Sequence, residues 1–460
     1  MDSTNITQST TPWLELLGSN NWEGLLDPFD INLRTLILRC GDFCQATYDA
    51  FNNDENSKYA GSSRYGKKSF FHKVMLQPSP DDYEIAAFIY ATARVSVPEA
   101  FLFKSLSREA WDRESNWIGY IAVTSDKVSK KLGRREIYVV WRGTSRDFEW
   151  INVFGAKSAS AEPLLRARTL SLSTTGTGNG TTTTLTDSSD EDDTIPFIDS
   201  LALRIDGISW LRWLVPLITY FAKAKDGPTP KVMQGWLTIY TSDDPNSSFT
   251  KTSARTQVLT TIRQLVSKYE NEDVSIIQTG HSLGASLSIL SAFDLAENGI
   301  TVPISAFVFG SPQVGNKAFN DRLSEFTNVK VLHIRNKIDL IPLYPSGLLG
   351  YVNTGVDFLI DTRKSPSLKD SNNTGDWHNL QGMLHVVAGW NGADGEFELR
   401  VKRSLTLVNK SSEFLKDEYL IPGSWWIEKN KGVILDANGE WVLEPPDEED
   451  IPVPEFEFTE

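Results

Sequence analysis

The sequence predicts an α/β fold in which a mostly parallel sheet carries helices on both faces. Three observations predict it. Apolar runs of strand length alternate with helix-length segments between residues 136 and 334. One strand-to-helix junction is a tight turn bounded by glycines at 280 and 284. Finally, 460 residues with 40% hydrophobic content and 14 tryptophans are ample for a large core.

Glu136-Ile137-Tyr138-Val139-Val140-Trp141 reads as the first of these strands, and Arg142-Gly143-Thr144-Ser145 follows it at once. A helix is expected near 252–270, a strand at 274–279, a helix at 283–297, a strand at 304–309, a helix near 316–326 and a strand at 329–334. Helices before residue 136 and the region after about 390 should pack around this core. Residues 1–444 are expected to form a single domain. Trp425, Trp426 and Trp441, with Val433-Ile434-Leu435, mark the chain before 445 as folded. Within the domain, 168–193 is almost wholly Ser, Thr, Gly and Asp and is expected to be disordered, since nothing there offsets the entropy of ordering. Beyond Pro445-Pro446, residues 445–460 read as a flexible acidic tail.

The formal net charge of −15 is concentrated in two acidic tracts, 187–193 and 432–460, which leaves the body neutral. A neutral body excludes nucleic acid as a partner, which wants a basic face. It also argues against electrostatic docking on anionic lipid. The two cysteines, Cys40 and Cys44, share the apolar face of a helix-like stretch with Leu33, Leu36 and Ile37. They read as reduced core thiols, suited to a reducing compartment. No metal site is expected from so few soft ligands. No Lys or Arg precedes Arg34, so no targeting segment is read, and no apolar run approaches the ~18 residues of a spanning helix. The expected location is cytoplasmic, with peripheral access to membranes.

The chemistry centres on Gly280-His281-Ser282-Leu283-Gly284. Val274 to Thr279 before it is a strand, and Ala285 to Ala292 after it is helix-compatible. Strand, sharp turn and helix make this G-x-S-x-G run a nucleophile elbow, with Ser282 lifted clear of the sheet edge. Side chains at 280 or 284 would clash in so tight a turn. A serine needs a base to remove its proton, and the chain offers five histidines: His72, His281, His333, His378 and His385. His281 is locked beside the nucleophile. His333 lies in an alternating strand, and His72 sits in a basic, loop-like stretch far upstream. In α/β-hydrolases the order along the chain is serine, acid, histidine, which leaves His378 and His385. His378 is preferred because it stands where a polar loop meets an apolar helix, whereas His385 reads as a packed helix-face residue. The acid belongs just past the carboxyl end of a strand, and Asp339 fits. Asp357, Asp361, Asp370 and Asp376 read as solvated loop caps. Oxyanion donors are expected from the amide of Leu283 and from Thr144, in the loop after strand 136–141.

Taken together, Trp141-Arg142-Gly143-Thr144 with Glu149-Trp150, the elbow, Phe309-Gly310-Ser311-Pro312, Arg335-Asn336 with Asp339, and His378-Asn379-Leu380 resemble class-3 lipases. Leu25-Leu26-Asp27-Pro28, Gln234-Gly235-Trp236, Ile239 to Ser242, Leu407 to Lys410 and Leu415 to Pro422 resemble the plant phospholipase A1 branch of that family. The resemblance covers roughly residues 13–160 and 231–444. It implies an α/β-hydrolase fold with Ser282, Asp339 and His378 as the triad and Thr144 as oxyanion donor. The implied activity is hydrolysis of the sn-1 ester of phospholipids at a membrane surface, without a cofactor. A galactolipid or neutral-glyceride lipase would share the same residues, and a lipid-binding or tethering protein on a hydrolase scaffold is the non-catalytic alternative. Where this branch usually has an aromatic five residues after the histidine, this chain has Met383, and the segment 156–230 is longer than expected. Class-3 lipases carry a mobile lid after the oxyanion loop. Residues 208–224, aromatic and apolar nearly all round, are the candidate, with Trp210, Trp213 and Phe221 meeting the lipid.

Overall fold

In the computed structural model, residues 11–74, 76, 80–92, 115–144, 157–165, 228–245, 247, 249–426, 433–435 and 441–443 are described. The insert 168–193, the candidate lid 208–224 with Trp210, Trp213 and Phe221, and the tail 445–460 lie outside the described residues.

Seven strands make the central sheet: β1 (Tyr83–Thr92), β2 (Ser115–Thr124), β3 (Arg135–Trp141), β4 (Val274–His281), β5 (Ile304–Phe309), β6 (Val329–Asn336) and β7 (Val356–Ile360). They lie side by side in chain order. The β1–β2 and β2–β3 pairs are antiparallel, and β3 through β7 run parallel. Successive side chains of a strand point to opposite faces, and the core divides accordingly. Tyr138, Val140, Ile277, Phe307 and Leu332 join one apolar cluster, while Ile137, Val139, Ile276, Ala306 and Val331 join another.

Helices cover both faces. The first cluster is closed by α1 (Ile31–Ala50), through Leu33, Cys40 and Cys44, together with Leu384 and Val387 from the C-terminal part of the domain. The Asp30 carboxylate caps α1 by accepting from the amides of Asn32 and Leu33, a contact of the kind that contributes ~1 kcal/mol. The second cluster is closed by α2 (Gln234–Thr241), α3 (Ala254–Lys268) and α4 (Leu283–Glu297), with Phe319 from α5 (Lys317–Ser324). A sixth helix, α6 (Leu380–Gly389), carries Leu384 and Val387 and packs on α1. Short strands at 158–160, 231–233, 315–316 and 351–352 form a separate antiparallel sheet, and Val433–Leu435 pairs with Trp441–Leu443.

Every strand and helix expected between 136 and 334 is present within two or three residues of its expected ends. Both cysteines are buried free thiols on α1. Two expectations are corrected. Asp357 is not a loop cap: it sits within β7, where its carboxylate lies 3.0 Å from Arg335 and 3.4 Å from His333. His72 is not in a loop but in the helical turn Phe70–Lys73, where its ring meets Asp81 at 2.8 Å. Among the described residues, no helix is long and apolar enough to cross a membrane.

Candidate active site

Where β4 gives way to α4, Ser282 alone forms the turn, with φ 59° and ψ −127°. A non-glycine residue held there costs about 1–3 kcal/mol, which the surroundings must offset. The flanking glycines show how tight the turn is. A Cβ on Gly280 would lie 2.2 Å from the carbonyl of Gly284, and one on Gly284 would lie 2.3 Å from the carbonyl oxygen of Trp141. The Ser282 amide donates to the Phe309 carbonyl at 3.0 Å, tying the elbow to the end of β5.

His378 stands between the helical turn Thr374–Trp377 and α6, whose first turn is capped by Asn379 accepting from the Gly382 amide. Its Nδ1 lies 2.5 Å from Oδ2 of Asp339. The other carboxylate oxygen accepts from the Ile341 amide at 2.9 Å, so the acid is fixed from two sides. Both side chains are buried. An ionised carboxylate only accepts, which assigns the proton to Nδ1 and leaves Nε2 as the basic nitrogen. Gly310, at φ 55°, packs directly on this pair. A Cβ there would come within 2.7 Å of Cε1 of His378 and 3.2 Å of Oδ2 of Asp339. The residue before it, Phe309, holds the Ser282 amide. The end of β5 therefore joins the nucleophile's turn to the acid–base pair.

The oxyanion candidates flank the same turn. Parallel pairing sets Trp141 opposite Gly280, which brings Arg142-Gly143-Thr144 alongside the elbow. Leu283 opens α4, where first-turn amides lack intrahelical acceptors and the helix dipole favours negative charge. Thr144 is half-buried at the end of its loop. The structure thus gathers Ser282, Asp339, His378, Leu283, Gly280, His281 and Gly284 at the carboxyl edge of the parallel strands, with Gly143, the residue before Thr144, against the His281 carbonyl.

Sequence reasoning missed four supporting roles. The carbonyl of His378 can only accept, so His281 must donate to it from Nε2, at 2.9 Å. Nδ1 of His281 is then an acceptor, and Tyr48 donates its phenolic proton to it over 2.7 Å. Burial, followed by the neighbouring His378, holds the His281 pKa well below its ordinary value, so this ring stays neutral. Arg142 is buried over the Phe51 ring, 3.7 Å from its centroid, and donates to the carbonyls of Trp117 and Gly143. Anchoring the Gly143 carbonyl fixes the peptide whose N–H belongs to Thr144. Desolvation lowers the Arg142 pKa to about 10. Asn336, the fourth, bridges the acid and base loops. No sequence spacing signals the pairs Tyr48–His281, His281–His378, Arg142–Trp117 and Asn336–Trp377, because these partners are far apart along the chain.

The remaining histidines are placed elsewhere. His385 is buried on α6, with Nε2 2.8 Å from the Ser365 hydroxyl and its ring against Phe397. His333 accepts the Ser311 amide. Asp361 caps the Arg363 amide, and Asp376 accepts from Ser371. Among the described residues, no group of three or more His, Cys, Asp or Glu is arranged to hold a metal.

Residues 207–348 match the family model for class 3 lipases. Over nearly the whole chain the sequence is similar to plant proteins. One is phospholipase A1-IIdelta of Arabidopsis thaliana, 58% identical over 97% of this chain and 99% of the relative. Another is phospholipase A1-II 5 of Oryza sativa subsp. japonica, 46% identical over 98% of this chain and 87% of the relative. Phospholipase A1-IIbeta of Arabidopsis thaliana is 40% identical, covering 94% of this chain and 93% of the relative.

Proposed function

The chain belongs to the phospholipase A1-II family of class 3 lipases, and on that premise we propose that it hydrolyses the sn-1 ester of phospholipids through Ser282, His378 and Asp339. One observation carries the assignment of residues. The buried Asp339–His378 pair, closed to 2.5 Å, abuts the turn that presents Ser282.

In this reading Ser282 attacks the ester carbonyl while Nε2 of His378 takes its proton. Asp339 holds Nδ1–H, keeps the ring in the productive tautomer and stabilises the imidazolium. The oxyanion forms against the amides of Leu283 and Thr144, and losing one such donor typically costs ~2.7–4 kcal/mol of barrier lowering. The imidazolium then protonates the departing glyceryl oxygen and lysophospholipid leaves. Water, deprotonated by the same base, attacks the acyl-enzyme, the bond to Ser282 Oγ breaks as the imidazolium returns the proton to that oxygen, and the fatty acid is freed. The two buried free thiols suit a reducing compartment, and a cytoplasmic location belongs to the same proposal.

The reading is tested with a fluorophosphonate probe on the folded enzyme. Stoichiometric labelling should map to the peptide containing Ser282 and vanish in Ser282→Ala. Labelling at another serine would remove Ser282 from the role.

A further inference from the structure

Asn336 is the last residue of β6, is 1% exposed, and uses its carboxamide in three hydrogen bonds to two residues. Nδ2 donates to the Thr362 hydroxyl at 2.8 Å and to the carbonyl of Trp377 at 2.8 Å. Oδ1 accepts from the Thr362 amide at 3.1 Å. The main-chain carbonyl of Asn336 accepts from the amide of Asp339, also at 3.1 Å. Trp377 is the residue before His378. One buried residue therefore holds the acid's loop with its backbone and the base's loop with its side chain.

We propose that Asn336 is a positioning residue for ester hydrolysis, locking the peptide before His378 to the strand end that carries Asp339. The inference rests on the triad reading above. Consecutive carbonyls at 377 and 378 are anchored to different loops, the first by Asn336 and the second by His281. Losing the first lets the base pivot about the second. The site requires a carboxamide. The Trp377 carbonyl needs a donor and the Thr362 amide needs an acceptor, and a side chain of this length supplies both only as an amide. Aspartate has the same shape but presents acceptors alone when ionised, so it repels the Trp377 carbonyl. Misplacement by ~1 Å can cost a hundredfold in rate, so a small shift of the imidazole suffices.

A purely structural asparagine would also bridge these elements, so the test separates stability from turnover. Asn336→Asp should lower kcat about a hundredfold with KM within about threefold. Thr362→Val removes the other acceptor of the same amide but leaves the Trp377 bond. It should lower the unfolding midpoint while kcat stays within about twofold. In an Asp339→Asn background, Asn336→Asp should cost less than about threefold more, because residues acting through one imidazole are non-additive. Should Asn336→Asp not fold, Asn336→Ser, too short to reach Trp377, is measured in the same way. Near-normal kcat in a folded Asn336 variant, or a full additional loss in the Asp339→Asn background, overturns the inference. A wild-type enzyme inert on phospholipid would instead remove the triad reading beneath it.

Discussion

His281 donates from Nε2 to the main-chain carbonyl of His378 over 2.9 Å, so the residue before the nucleophile holds the backbone of the base. That bond exists in one tautomer only, and the Tyr48 hydroxyl selects it by donating to Nδ1. Tyr48→Phe removes the selector. The ring can then carry its proton on Nδ1 and present a lone pair to the carbonyl. An unsatisfied buried group costs about 1–3 kcal/mol, so kcat on a soluble short-chain ester should fall about tenfold with KM little changed. Turnover within twofold of wild type would detach Tyr48 from the mechanism.

The close approach of Gly310 to the acid–base pair gives a second prediction. A methyl group at Gly310 would meet Cε1 of His378 at 2.7 Å, at a backbone φ of 55°. Gly310→Ala must displace the imidazole, the carboxylate or the turn. The expected result is a loss of about a hundredfold in kcat, with a helical circular-dichroism signal like that of wild type. An active Gly310→Ala enzyme would mean that the turn after β5 has slack the geometry does not show.

Acid sensitivity should arise in part away from the chemistry, at His385. Burial, with Arg403 second, pushes its pKa down to about 4 from an ordinary value of 6.5. The folded protein therefore binds this proton less readily than the unfolded chain. As pH falls below about 6.5 the unfolded chain protonates first and stability declines, levelling off below the folded-state value near 4. The difference corresponds to about 3 kcal/mol. Denaturant unfolding of His385→Gln, whose amide can still meet Ser365, should show a shallower decline between pH 6.5 and 4 than wild type. Parallel curves would show that His385 titrates normally.

Strands β3 to β6 were legible in the sequence because they are buried on both faces and read as near-continuous apolar runs, as Ile304 to Phe309 does. Strand β7 was not: Asp357 and Leu359 face outward at the sheet's edge, so five residues with a carboxylate among them look like a loop. Neither were β1 and β2, whose pairing shifts register twice, between Ile85 and Ala87 and between Ile89 and Tyr90, which interrupts the two-residue alternation. At the site, Ser282 and Asp339 follow from local order along the chain. His378 was separable from His385 only because one stands at a loop-to-helix junction and the other within a helix. Tyr48 reaches a ring nitrogen, and Arg142 and Asn336 reach the main-chain carbonyls of Trp117 and Trp377, all on distant segments, and no residue type announces such a contact.

The most direct measurement is the product of a phosphatidylcholine carrying different fatty acids at its two positions. Wild-type enzyme should release the sn-1 acid and leave the 2-acyl lysophospholipid, and Ser282→Ala, folded to the same melting curve, should release neither acid. Equal release from both enzymes, or release of the sn-2 acid by the wild type, would contradict the account.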